Sequence, residues 1–129
     1  MFLPDRSAVS SLDRGRSLVN QFLNNALSPG TLRQYRNAYQ RWTKFCQSNG
    51  LSELPGEPSH VASCLALVGD LTESVSSVDT LAASISYEHK KRFLPSPTSH
   101  PTVLLLLKAI RRRYGRNRNY VEPLTEAII

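Results

Sequence analysis

The 129-residue sequence predicts an all-α protein. Apolar residues recur at steps of three and four in five segments, a spacing typical of amphipathic helices. Proline, glycine and serine separate these segments, and no stretch alternates apolar and polar residues as a half-buried strand would. These observations together favour a small bundle of four main helices with an additional N-terminal helix.

The five predicted helices cover approximately residues 11–27, 31–48, 59–71, 76–93 and 101–115. Thr31 and Ser59 have the side chains of N-cap residues, so they are predicted to begin the second and third helices. Pro101 suits the first turn of the fifth helix, because the missing N–H of proline costs nothing there. Gly115 is predicted to end that helix.

One apolar stripe on each of the last four helices is predicted to face the core. His89 lies on such a stripe and is predicted to be a packed histidine rather than a metal ligand. The predicted inward-facing residues are Leu32, Tyr35, Tyr39, Trp42, Phe45, Cys46, Val61, Leu65, Val68, Leu71, Val78, Leu81, Ala82, Ile85, His89, Val103, Leu104, Leu107, Ile110 and Tyr114.

The composition is that of a globular protein with an unusually basic charge balance. Sixteen Lys and Arg against ten Asp and Glu give a net charge of +6 and a pI of about 9.7. This balance favours nucleic acid or an anionic membrane surface as partner, although a merely basic globular protein is the open alternative. No run approaches the ~20 apolar residues of a membrane span, and the N-terminus does not resemble a signal peptide. The expected location is therefore intracellular, and nuclear if the source is eukaryotic.

The charges are segregated along the chain. Residues 31–48 and 89–119 carry basic residues and no acid, whereas residues 47–79 carry only acids. Segregation of this kind predicts distinct charged faces, and the electrostatic footprint of a nucleic-acid-binding domain is one-sided in the same way.

No arrangement of residues suggests an active site. The three histidines have no carboxylate or cysteine at metal-ligand spacing, and Cys46 and Cys64 are expected to be buried free thiols. A glycine-rich phosphate loop is also missing. We therefore expect no catalysis, metal, cofactor or small-molecule substrate in these residues.

Several stretches occur in an order that carries more information than composition. They are SPGTLRQYRNAYQRWTKFC from Ser28, PSHVASCL from Pro58, SSVDTLAASISYEH from Ser76, LPSPT from Leu94 and VLLLLKAIRRR from Val103. This series resembles the N-terminal core-binding domain of the tyrosine recombinases, the phage-integrase and Cre-like family, over about residues 26–129. The resemblance implies a SAM-like orthogonal four-helix bundle. Cys64 departs from it, because the family has an aromatic residue at that position.

The final stretch, EPLTEAII from Glu122, resembles the start of the family's catalytic domain. The catalytic arginines, lysine, histidines and tyrosine would then lie downstream, so these 129 residues are not expected to be an enzyme. The resemblance divides the chain into an N-terminal tail and helix (1–27), a core-binding helical domain (28–115), and a linker with the start of a catalytic domain (116–129). An intact recombinase that continues past Ile129 is an open alternative.

The resemblance implies duplex DNA as the partner, with the second and fourth helices approaching the major groove. Arginine and lysine are expected to contact phosphates, and amide side chains to contact adenine edges. The implied DNA-contacting residues are Arg33, Gln34, Arg36, Asn37, Gln40, Arg41, Lys44, Ser76, Ser77, Thr80, Ser84, Tyr87, Lys90, Lys91, Arg111, Arg112, Arg113, Arg116 and Arg118. The isolated chain is expected to be a monomer. A helical protein–protein interaction module without DNA binding is the alternative from a different functional class.

Overall fold

The protein, described here by a computed structural model, is mostly helical over residues 3–115, the part of the chain that the structure describes. Side chains are described from residue 10 onward. The helices are α1 (Leu3–Asn25), α2 (Pro29–Asn49), α3 (Pro58–Thr72), α4 (Val75–Lys91) and α5 (Pro101–Tyr114), and a short 3-10 turn, Pro97–Ser99, precedes α5. No strand occurs among these residues, which confirms the all-α prediction. The orthogonal arrangement of a SAM-like bundle stays a prediction.

The chain forms two compact units, one ending at Arg33 and the other beginning at Gln34. In the first unit, α1 begins at Leu3, well before the predicted residue 11. The hydroxyl oxygen of Ser28 accepts a hydrogen bond from the backbone N–H of Thr31 at 3.1 Å. Ser28 therefore caps α2, and the predicted cap, Thr31, lies inside the first turn.

The second unit contains the hydrophobic core. Helix α3 packs against α4 and α5, and α4 also packs against α5. Most of the predicted stripe residues meet at this centre, which confirms the helical pattern of the sequence. The buried apolar residues are Trp42, Cys46, Val61, Cys64, Leu65, Val68, Val78, Leu81, Ala82, Ile85, Val103 and Ile110.

The loop between α2 and α3 is held from both sides by buried side chains. Trp42 donates from its indole nitrogen to the carbonyl oxygen of Glu53 at 3.2 Å. His89, which is fully buried as predicted, accepts at Nε2 from the backbone N–H of Gly56 at 2.8 Å. Its Nδ1 lies 2.7 Å from the carbonyl oxygen of Ile85 and must donate there, because the other ring nitrogen is the acceptor. A β-carbon at Gly56 would lie 2.8 Å from the Trp42 ring, so the close approach requires glycine.

Two predicted core leucines are exposed. Leu71, in the last turn of α3, is 76% exposed. Gly69 faces Val78 and Ile110, and a residue two positions later lies on nearly the opposite side of the helix. Leu104 is 54% exposed, because the adjacent residue Val103 takes the inward position. These two residues correct the prediction of which apolar side chains face the core.

The N-terminus of α3 is capped by Glu57 rather than by the predicted Ser59. The Glu57 carboxylate accepts hydrogen bonds from both the backbone N–H and the hydroxyl of Ser59. These bonds, the hydroxyl bond foremost, hold the pKa of Glu57 below its usual value.

No helix in the described part of the chain combines the length and the apolar character needed to cross a bilayer.

We expect Trp42→Ala to lower the free energy of unfolding by about 3–5 kcal/mol, because it opens a cavity and removes the hydrogen bond to Glu53. Urea denaturation followed by circular dichroism measures this. Leu71→Ala is the matched control on the exposed face and is expected to change stability by less than about 0.5 kcal/mol. A larger cost for Leu71→Ala than for Trp42→Ala would contradict the described core.

We expect Glu57→Gln to lower the urea midpoint at neutral pH and to have no effect in acid. A carboxyl group whose folded pKa is depressed contributes stability above its unfolded pKa, and that stability is lost as pH falls through the folded pKa. Denaturation midpoints of both proteins across pH 2–7 measure the difference. Glu73→Gln, which removes a carboxylate at the C-terminal end of α3, should not destabilise at neutral pH. A pH-independent difference between wild type and Glu57→Gln would refute the linkage.

Candidate nucleic-acid interface

The exposed face of α2 carries the polar residues that the sequence predicts there. Arg36, Arg41 and Lys44 are exposed cations, and α2 has no acidic residue to pair with them. Gln34, Asn37 and Gln40 are exposed on the same helix. Arg33 is exposed as well, but it belongs to the unit that ends at that residue.

A polar groove of about 390 Å³ lies between α2 and α4, and we call it the α2–α4 groove. It brings together six predicted residues from two helices that are distant in sequence, with one alanine between them. The lining residues are Gln34, Asn37, Ala38, Arg41, Ser76, Ser77 and Thr80.

The α4 wall of this groove consists of the first two turns of the helix. Ser74 caps α4 by accepting from the backbone N–H of Ser77 at 3.1 Å, so the helix begins beside the groove. Thr80 donates its hydroxyl to the carbonyl oxygen of Ser76 at 2.8 Å. This wall therefore has short side chains that permit close approach of a ligand.

An aromatic contact also joins α2 to α4. The rings of Tyr35 and Tyr87 meet edge to face at 5.8 Å and 63°. Burial raises the pKa of Tyr87, with a smaller effect from Glu88. Tyr87 was predicted to contact DNA, and the structure places its half-buried ring against α2.

Ser84 corrects the predicted polar face of α4. Its side chain is 1% exposed, and its hydroxyl donates to the carbonyl oxygen of Leu81 at 2.7 Å. Thr80 lies on nearly the same face one turn earlier and lines the groove. Ser84 lies at the edge of the buried stripe of α4, three residues after Leu81 and next to Ile85, both of which are fully buried. Ser84 is therefore excluded as a contact residue.

The basic residues at the end of α4 are partly neutralised by Glu88. The carboxylate lies 3.6 Å from the Lys91 ammonium and 2.6 Å from the Arg92 guanidinium. Lys91 also lies 5.0 Å from the Tyr87 ring centroid, whereas Lys90 is exposed. The segregation pattern missed this pairing because Glu88 immediately precedes the acid-free block.

A second groove, of about 520 Å³, adjoins the first and shares Ser76 and Thr80 with it. It contains Asp79, whose carboxylate lies 3.1 Å from the guanidinium of Arg111. Both side chains are about half exposed, so the pair contributes little to stability. No sequence signal linked them, since 32 residues separate the two positions.

The remaining predicted cations lie at the end of α5. Arg112 and Arg113 are exposed, and the Arg113 guanidinium lies 5.6 Å from the Tyr114 ring centroid. Arg116 and Arg118 lie outside the described residues, as does the EPLTEAII stretch.

The described residues contain no cluster of three or more His, Cys, Asp or Glu that could hold a metal ion. Cys46 and Cys64 are buried free thiols, as predicted. Burial raises the pKa of each to about 11, which suppresses the reactive thiolate. These cysteines therefore serve the packing of α2 and α3.

A double-mutant cycle on Tyr35 and Tyr87 is expected to give a coupling energy of about 0.5–1.5 kcal/mol, the usual value of an edge-to-face aromatic pair. Tyr35→Leu, Tyr87→Leu and the double variant retain apolar area while removing the ring contact. Urea denaturation of the four proteins measures the coupling. Additive effects of the two substitutions would show that the two rings do not stabilise the protein through their contact.

No protein-family model matches the chain, and a comparison with curated proteins yields no match.

Proposed function

We propose that this chain binds duplex DNA through the α2–α4 groove and the exposed face of α2. The observation that supports the proposal is that groove, which brings together six polar residues from two helices. It lies beside the exposed cations of α2, a helix that contains no acidic residue. Cations at such a surface neutralise phosphates, and the release of condensed counterions supplies affinity that does not depend on sequence. The N-terminal end of α4 adds the positive end of a helix dipole.

The proposal gives the exposed residues different roles. Arg36, Arg41 and Lys44 contact phosphates and set the affinity, whereas Asn37 and Gln34 face base edges. The cations at the end of α5, Arg112 and Arg113, extend the phosphate contacts, together with Arg116 and Arg118 beyond the described residues. Lys91 and Arg111 contribute less, because carboxylates already neutralise part of their charge.

We further propose that this binding serves DNA recombination or integration, with the chain acting as the core-binding half of a tyrosine recombinase. The support is the ordered series of motifs from Ser28 to Arg113. In this proposal the 129 residues hold DNA and do not cleave it. A reading frame that continues past Ile129 with the family's Arg, His and Tyr motifs would support the assignment directly.

A second candidate function is a helical protein–protein interaction module. An apolar groove of about 310 Å³ between α2 and α3 favours it, with Phe45, Leu67 and Val68 among its lining residues. Leu67 is 59% exposed, and Leu71 further along α3 is more exposed still. A chain that binds no duplex DNA even at low salt would favour this candidate.

We expect wild-type protein to bind a fluorescein-labelled duplex with an affinity that falls steeply between 50 and 200 mM KCl. Arg41→Gln should weaken binding across all sequences and reduce the slope of log affinity against log salt by about one, because one phosphate contact is lost. Fluorescence anisotropy titrations at several salt concentrations measure both quantities.

Lys108→Gln is the matched control, because it removes the same charge from an exposed position on α5 that does not line the α2–α4 groove. It should leave the slope nearly unchanged. Asp79→Asn should strengthen binding, since it removes a negative charge and frees Arg111. Binding that is absent, or insensitive to salt, contradicts the proposed function.

A further inference from the structure

The polar groups in the α2–α4 groove differ in what they can offer a ligand. The amide of Asn37 is exposed and has no hydrogen-bond partner among the described residues, so both its donor and its acceptor are free. The hydroxyl proton of Thr80 is already donated to the carbonyl oxygen of Ser76. Thr80 therefore offers a methyl group and an acceptor rather than a donor.

Arg41 occupies a different position from these two residues. It lines both the α2–α4 groove and the apolar groove between α2 and α3, so it lies on the ridge of α2 that separates them. A guanidinium on a ridge reaches the backbone of a duplex more readily than the edge of a base lying in the groove. Base recognition is therefore left to the two amides of the α2 wall, Gln34 and Asn37, and to the α4 wall.

Asn37 lies in the middle of the α2 wall, one turn from Gln34 on one side and from Arg41 on the other. Ala38 is the adjacent residue of the lining and is small, which leaves space beside the amide. The opposite wall is the first two turns of α4, where Ser76 and Ser77 also have short side chains. Helices that read DNA commonly contact base edges with such N-terminal residues.

We infer that Asn37 and Thr80 together read one A·T base pair through its major-groove edge. An asparagine amide pairs with N6 and N7 of adenine, and a threonine methyl packs against the C5-methyl group of thymine. Both groups lie on the same edge of one base pair, and Asn37 and Thr80 line opposite walls of one groove. This inference rests on the proposed function, because it assigns sequence preference to the same surface.

Selection from a randomised duplex pool tests the inference, with wild-type protein and Asn37→Ala used in parallel. Wild type should enrich at least one fixed A·T position, and replacing that pair by G·C should weaken binding about 5- to 150-fold in anisotropy titrations. Asn37→Ala should lose this discrimination while keeping the salt slope of wild type. Circular dichroism should show unchanged helicity, since Asn37 is exposed.

Gln47→Ala is the matched control, because Gln47 is an exposed amide of the same helix that neither lines the groove nor belongs to the proposed DNA-contacting residues. It should retain the full A·T discrimination. Deoxyuridine in place of thymidine at the selected position probes the methyl contact: wild type should bind this duplex several-fold more weakly, and Thr80→Ser should not distinguish the two.

The outcomes separate the two proposals. Salt-dependent binding without any base preference overturns the inference and leaves the proposed function standing. Equal loss of discrimination in Asn37→Ala and Gln47→Ala, or wild-type binding that ignores the thymine methyl, also overturns it. Absence of duplex binding at low salt overturns the proposed function and this inference with it.

Discussion

The rest of the second unit depends on two hydrogen bonds, by which Trp42 and His89 fix the loop between α2 and α3. Trp42 belongs to α2 and His89 to α4, so the two helices that form the groove walls both hold the same loop. Gly56 makes this possible, since any β-carbon there would collide with the indole ring. His89 accepts at Nε2 and donates at Nδ1, so both ring nitrogens of this buried side chain have a hydrogen-bond partner.

The net charge of the chain describes its surface poorly, because the cations differ in their local partners. Glu88 pairs with Lys91 and Arg92, and Asp79 pairs with Arg111, so part of the basic character of α4 and α5 is neutralised. The cations of α2 have no acid on their own helix, and they remain exposed. An approaching polyanion therefore meets its strongest local attraction along α2, where the groove also lies. The charge pattern and the groove geometry support the same surface independently.

The sequence predicted burial correctly where a residue's environment follows from its position on its own helix. The steps of three and four that put Trp42 and His89 inside are local properties, and both are buried. The prediction failed at Ser84, which lies close to Thr80 on the helix surface but is buried at the edge of the apolar stripe, whereas Thr80 lines the groove. The prediction for Leu71 was wrong because Gly69 makes the contact with Val78 and Ile110, which leaves Leu71 on the exposed side of α3. The ion pair of Asp79 and Arg111 could not be predicted either, because predicting it requires knowing how α4 packs beside α5.

The same geometry suits the groove to the proposed recognition of DNA rather than to tight enclosure of a ligand. The rings of Tyr35 and Tyr87 connect α2 to α4, and both helices donate or accept hydrogen bonds with the loop between α2 and α3. The groove walls are lined by short or exposed side chains that are not part of the core. Substituting Asn37 or Thr80 therefore changes the chemistry offered to a ligand without disturbing the burial that stabilises the unit. Stability and the proposed recognition involve different faces of the same two helices, so each can vary while the other is kept.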